Sequence, residues 1–494
     1  MPAKRAAAAA GLVDRLDAEA ETFSRDLTRE YYLNGAGLKE ELSIVPIFQR
    51  HAALFSKATL DALAKAPPDD PRRQPLRAFA AEGYLENAAK SLSEALAARE
   101  TTDATTWDGK EVPYRALPVL TANEPDPERR HQIDRLRLEL TAAQNPVREE
   151  RWGVLQAEAR GLGYSDYAAL CEDLGGLQLD ALAAPLEAFL WDSEKAYRLE
   201  LGRRLEEIGV SPPEAERSDL GYLFRSPRFD ARFPPERLIP SLAETLLPLG
   251  IDLQRQQNVH LDVESRPHKS PRAFCAPIVI PDEVMLVINP HGGQDDYAAL
   301  FHEAGHTEHF AHVDRTLPFA ARGLGDNSVT EAFAFLIEHL THDAAWLQQR
   351  LGWPDPGEFV AFKRFVKLYM LRRYATKLLY ELELHRGSDV RSRAKRYADL
   401  LTARLAVRYS PADYLFDVDD GFYCARYLRA WAFEAQLRRQ LQNDAGEQWF
   451  LSLQAGKRLR ELWSTGQRLP VQDLARRIGY SGLDFAPLFE DLKT

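Results

Sequence analysis

The chain has 494 residues, 45% of them hydrophobic and 28% charged, with a formal net charge of −11. That balance excludes a collagen-like chain, a disordered chain and a small disulfide scaffold, and it argues against a nucleic-acid binder, which needs a basic face. No apolar run approaches the roughly 18 residues needed to span a bilayer. The three cysteines, Cys171, Cys275 and Cys424, are odd in number, far apart and without CxxC spacing. This usage fits a reducing compartment, so the expectation is a cytoplasmic protein with no structural disulfide and no membrane or nucleic-acid partner.

The chain starts with a short basic and alanine-rich stretch that runs into acidic residues at Asp14 and Asp17. It lacks a clear cleavage site and reads as a frayed helix start, with residues 1–11 flexible. Residues 12–33, 74–99, 128–143, 147–161 and 178–208 carry apolar residues at three-to-four spacing and are predicted as helices. Breaks fall at Pro67-Pro68, at 123–127 and at 211–213. No internal repeat is visible, which excludes a solenoid. Segments 257–263, 272–280 and 284–289 are short, rich in β-branched residues and punctuated by Pro267, Pro281 and Pro290. They predict one small sheet inserted in a helical protein. Helical pattern resumes near 295 and continues almost to the end. The expected fold class is mostly α, with an N-terminal helical lobe over 12–240 and a second helical lobe with the sheet over 241–494, interleaved as one unit.

The chemistry lies in Phe301-His302-Glu303-Ala304-Gly305-His306-Thr307-Glu308-His309. His302 and His306 are four apart, so on a helix both imidazoles share one face and can hold one Zn²⁺. Glu303 follows the first histidine, as in the HExxH arrangement, where the glutamate is the general base. With 12 histidines in the chain, roughly 0.03 chance matches to this pattern are expected. The bland alternative is a solvated helix face, and Tyr297, Leu300, Phe301 and Phe310 argue against it.

Three residues compete for the third ligand. Glu331 begins a second amphipathic segment, with Asp326-Asn327 as a helix start and Glu338 seven residues on, on the same face. Ser328-x-x-Glu331 also matches a capping box, which would account for Glu331 without metal. His312 has the metzincin spacing, but His309 stands where that pattern needs glycine, and no Met-turn is evident. Glu308 is two residues from His306 and points to another side of the helix.

These residues resemble the thimet oligopeptidase and oligopeptidase F family of zinc metallopeptidases, of which this chain would be a short member. His302 to His309 fit HExGHxxH at every fixed position, and Glu331 and Glu338 match the family's downstream pair. Residues 262–275 resemble its edge-strand region, and Gly421-Phe422-Tyr423-Cys424-Ala425-Arg426-Tyr427 resembles its late tyrosine motif. Asp219-Leu220-Gly221-Tyr222-Leu223-Phe224-Arg225 is a weaker likeness. The family histidine before the late tyrosines is absent; Asp417, Asp419 and Asp420 stand nearby.

The resemblance implies a two-lobed helical body with a deep central channel, one zinc ion at its floor and the small sheet beside it. It implies hydrolysis of short peptides. His302, His306 and Glu331 would hold zinc, Glu303 would be the base, and Tyr427, then Tyr423, would donate to the oxyanion. Glu338 reads as a carboxylate orienting a ligand histidine, and His309 either as a residue approaching the site from its helix face or as a helix-face histidine hydrogen-bonded to a neighbour. Tyr423, Tyr427 and Trp431 also form a plain helical stripe. Asp262, Arg266 and Lys269 read as surface or strand-edge charges, and Gly292-Gly293 as a turn. Two alternatives stay open: a helical zinc carboxypeptidase-type exopeptidase, and a catalytically silent peptide-binding relative.

Overall fold

A computed structural model describes residues 2–387 and 389–493, the side chains of 2–10 excepted. The fold is mostly α: twenty-one α-helices and five short strands occur among the described residues. Pro2–Gly35 is one helix; the flexible segment expected over 1–11 falls largely on residues whose side chains lie outside the described ones. The helices expected over 74–99 and 128–161 are found as Arg73–Thr102 and Pro127–Gly161. The expected break between 143 and 147 is absent, and the helix runs through Pro146. Proline removes one helical hydrogen bond and pushes on the turn before it. Here Pro146 leaves the Ala142 carbonyl without its helical donor, and the carbonyls on either side of it, of Thr141 and Ala143, also accept from Arg148 and Arg99. The segment expected as one helix over 178–208 is two, Leu179–Asp192 and Glu194–Glu207.

Two sheets are present where one was expected. β1 (Ala104–Trp107) and β2 (Lys110–Pro113) form an antiparallel hairpin. Asp108 and Gly109 turn it, both at positive φ (49° and 73°), as a two-residue turn of this kind requires. The second sheet is the predicted one: β3 (Val259–Asp262), β4 (Phe274–Val279) and β5 (Glu283–Val287), in the order β3-β5-β4. β3 runs parallel to β5 and β4 antiparallel to it, so β4 is an edge strand. Val259, Ile280 and Val284 pack with Phe310, Ala311 and Val313, which fixes the sheet against the end of the HExxH helix, Gln294–Ala311.

Asp262, at the end of the edge strand β3, and Lys269 are buried rather than on the surface, and Arg266 is half-buried. The Lys269 ammonium is buried and donates to Asp262 Oδ1 at 3.0 Å and to the carbonyls of Asp262, Glu264 and Ile288. Arg266 takes the other Asp262 oxygen and the Ala36 carbonyl. A buried ammonium needs such partners, and here they pin the β3–β4 connection.

The chain divides into two compact units, each assembled from separated stretches. The first comprises Met1–Tyr84, Arg228–Ala361 and Arg429–Glu490; the second comprises Leu85–Pro227, Phe362–Leu428 and Asp491–Thr494. A single cut near residue 240 does not describe this division.

Candidate metal centre

The HExxH helix begins at a turn. Gly292 and Gly293 have φ of 82° and 87°, and a side chain at Gly292 would strike Pro235. Asp296 accepts from the backbone of His291 and Gly292 and so closes the turn onto the first helical residues. The second helix, Asn327–Leu340, starts at Asp326, whose carboxylate accepts from the Ser328 amide at 3.0 Å. The capping box read from Ser328 and Glu331 therefore does not form. Ser328 instead accepts from Arg429, which also pairs with Asp326. The two helices approach closely because residue 305 is glycine. A Cβ there would sit 2.5 Å from the Ala334 Cα and 2.6 Å from the Phe333 carbonyl oxygen. This contact explains the glycine inside the motif.

That approach brings His302, His306 and Glu331 together. Glu331 Oε2 lies 3.5 Å from His302 Nε2 and 3.7 Å from His306 Nε2. A tetrahedral Zn²⁺ with bonds of about 2.0–2.1 Å sets its donor atoms about 3.3 Å apart, so this donor set fits such an ion. The outer ring nitrogens are held from behind. His302 Nδ1 meets Glu338 Oε2 at 2.9 Å, and His306 Nδ1 meets Thr330 Oγ1 at 2.7 Å. A carboxylate can only accept, so His302 donates from Nδ1 and points Nε2 inward, where loss of its proton would give a metal ion the lone pair. Glu338 thus stands where an orienting carboxylate was expected. Thr330 was missed, since a hydroxyl beside the ligand carries no spacing signal.

The electrostatics favour one positive charge in the triad. Burial works against a charged His302, but Glu331 and Glu338 outweigh it and raise its pKa to about 10. Burial, then the charge of His302, lowers His306 to about 4. Of the two carboxylates, Glu331 lies on the Nε2 side of both rings.

Glu303 is anchored by the edge strand. Its Oε2 accepts from the Cys275 amide at 2.8 Å. Burial pushes its carboxyl up to about 7, with His302 and the Cys275 amide pulling back. The sheet therefore positions the candidate base, a contact that the sequence does not reveal.

The rival third ligands are engaged elsewhere. Glu308 is buried and accepts from Gln256 at 3.0 Å. His312 Nδ1 meets the Glu308 carbonyl at 2.8 Å. His309 is fully buried between Phe310 and Phe333, and its Nε2 meets the Gly466 carbonyl at 3.3 Å; that hydrogen bond goes to a turn, not to the triad.

The late tyrosines belong to the second unit. Tyr423 opens the helix Tyr423–Ala445, and its ring meets Tyr427 edge-on at 5.1 Å; Tyr427 meets Tyr374 at 5.6 Å. Tyr423 and Tyr427 of the predicted stripe therefore pack on each other, while the Trp431 ring meets Phe335 at 5.5 Å. The acidic residues before it are structural: Asp417 pairs with Arg373 and Tyr397, Asp419 with Lys377, and Asp420 with Arg151. All three cysteines are free, as expected. No helix among the described residues is long and apolar enough to cross a membrane. Comparison with protein-family models and with curated proteins finds no match to this chain.

Proposed function

We propose that this protein is a zinc-dependent peptidase that hydrolyses short peptides. One observation carries the reading: two imidazole Nε2 atoms lie within 3.7 Å of one carboxylate oxygen, Glu331 Oε2, with an anchored glutamate next to His302 in the chain. His302, His306 and Glu331 would hold the metal. Zn²⁺ at such a site lowers the pKa of water to about 7 and polarises a carbonyl.

The chain's own residues do the rest. Glu303, held at Oε2 by the Cys275 amide, exchanges a proton through its carboxylate. A carboxyl raised toward 7 suits a group that must accept a proton and then release it to a leaving amine. Glu338 and Thr330 fix the ring orientations of His302 and His306. The preference for short peptides and a cytoplasmic setting rest on the family resemblance and on composition.

The test is metal analysis of the purified protein, followed by mass spectrometry of products from peptides of graded length, with and without a chelator. The expected result is about one zinc per chain, cleavage of short peptides and loss of cleavage on chelation. Glu303→Gln is expected to keep the metal and lower kcat by at least about 10³. Active protein devoid of transition metal would overturn the reading; metal-loaded protein that binds but never cuts peptides would favour the silent relative. The resemblance further assigns an oxyanion donor to Tyr427, with Tyr423 next in line. Tyr427→Phe is expected to lower kcat by about 10²–10³ with little change in KM. Unchanged kcat would leave Tyr427 a packing residue.

A further inference from the structure

The helix Arg217–Arg225 carries the weaker sequence likeness and has no part in the metal centre. It lines a cleft of about 380 Å³ built wholly from residues of the second unit. That volume lies toward the lower end of the ~300–1,000 Å³ typical of small-molecule sites. Three arginines line it, Arg137, Arg217 and Arg373. Arg137 is fully engaged: its Nη atoms fork onto Asp413 at 2.8 and 3.0 Å, and its Nε donates to Asp134. Arg217 commits only Nη1, to Asp413 at 2.5 Å, and Arg373 commits Nη2 to Asp417. Among the described residues, the other N–H groups of Arg217 and Arg373 have no protein acceptor.

The charge balance restricts the ligand. Three arginines are matched by Asp134, Asp413 and Asp417, so the cleft offers N–H donors with no net positive charge. Such a balance disfavours a polyphosphate and leaves a singly charged ligand to be held by the uncommitted N–H groups. A guanidinium edge matches a carboxylate in shape as well as in charge. The remaining wall is mostly apolar, with Leu220, Phe224, Met370 and Phe416, beside Thr121, Asp134 and Ser218.

We propose that this cleft binds a monocarboxylate carried on an apolar body, with the carboxylate on Arg217 and Arg373 and the body against Leu220, Phe224 and Met370. A medium-chain fatty acid and the C-terminal end of a short apolar peptide share that chemistry. The proposal does not rest on the peptidase reading.

The test is calorimetric titration of the full-length protein with octanoate and with N-acetyl-alanyl-leucine, each beside its amide. At least one acid is expected to bind ten-fold or more tightly than its amide, and which one does so identifies the source. Gly221 lines the cleft, and a Cβ there meets nothing nearer than Ala122 at 3.8 Å. Gly221→Leu is therefore expected to fill the space and weaken binding at least ten-fold with the melting temperature little changed. Met370→Trp does the same from another helix, should Gly221→Leu fail to fold. Arg217→Gln and Arg373→Gln are each expected to weaken the acid and leave the amide unaffected. Equal binding of acid and amide, no binding of either acid, or acid binding that survives filling of the cleft would each overturn the proposal.

Discussion

His302, His306 and Glu331 in the first unit, and Glu381, Asp419 and Cys424 in the second, each bring three metal-type donor atoms within 4.8 Å of one another. The second set already contains a cation. Lys377 Nζ lies 2.8 Å from Asp419, 3.8 Å from Glu381 and 4.0 Å from Asp417. Its would-be ligands also spend themselves on each other. Cys424 donates to Glu381 at 3.2 Å, and Glu381 accepts the Asp419 amide at 3.0 Å. In the first set, the supporting bonds all go to the outer atoms of the rings, which leaves the inner nitrogens facing one carboxylate. Proximity of donors therefore does not distinguish the two clusters. The direction in which their other hydrogen bonds pull them does.

The strongest way to break this comparison is to exchange the roles. Glu331→Ala is expected to release zinc almost completely, because it removes one of three protein ligands. Cys424→Ala is expected to leave metal content at the wild-type value. Elemental analysis of both dialysed variants decides the matter: zinc lost from Cys424→Ala, or retained by Glu331→Ala, would reverse the assignment. If Glu331→Ala kept its zinc while His312→Ala lost it, the metzincin spacing would regain its claim.

A smaller effect concerns the cation in the second cluster. Lys377→Met keeps the length of the side chain but leaves Glu381, Asp417 and Asp419 without their shared ammonium. Removing one partner of a buried pair typically costs about 3–5 kcal/mol. Arg373 still faces Asp417, so the lower end is expected here. Chemical denaturation of the variant measures it. A loss below about 1 kcal/mol would mean that Lys377 does not hold this cluster together.

The sequence made the first cluster legible because its parts are local. Two histidines one turn apart and a carboxylate opening the next amphipathic helix declare themselves by spacing. The sheet was legible for the same reason, since β-branched runs between prolines leave few other readings. What escaped depends on contacts distant in the chain. Nothing near Cys275 says that its amide meets Glu303, 28 residues on. Nothing near Lys269 says that its ammonium is buried. The segments 128–143 and 147–161 read as two helices, and nothing local says that one helix runs through Pro146. The β1–β2 hairpin is a different kind of miss. Asp108-Gly109 between Thr105-Thr106-Trp107 and Glu111-Val112 is a recognisable turn signal, and it was local all along.

A further test concerns how the second cluster stores its charge. Burial pushes the Glu381 carboxyl up to about 8, with Lys377 pulling in the opposite direction. In the unfolded chain the group would titrate near the ordinary glutamate value of about 4.3. Between those two values the folded state holds a proton that the unfolded state has released. Stability linked to this group is therefore complete at low pH and falls as pH rises toward 8, by up to about 1.4 kcal/mol per pH unit. Glutamine cannot ionise, and its amide oxygen can still accept from Cys424 or from the Asp419 amide. Glu381→Gln is thus expected to flatten the decline in stability between pH 5 and pH 8, with little change at pH 5. The measurement is urea denaturation of wild type and variant at several pH values in that window. Parallel curves would mean that Glu381 is ionised throughout and that Lys377 neutralises it as a plain ion pair.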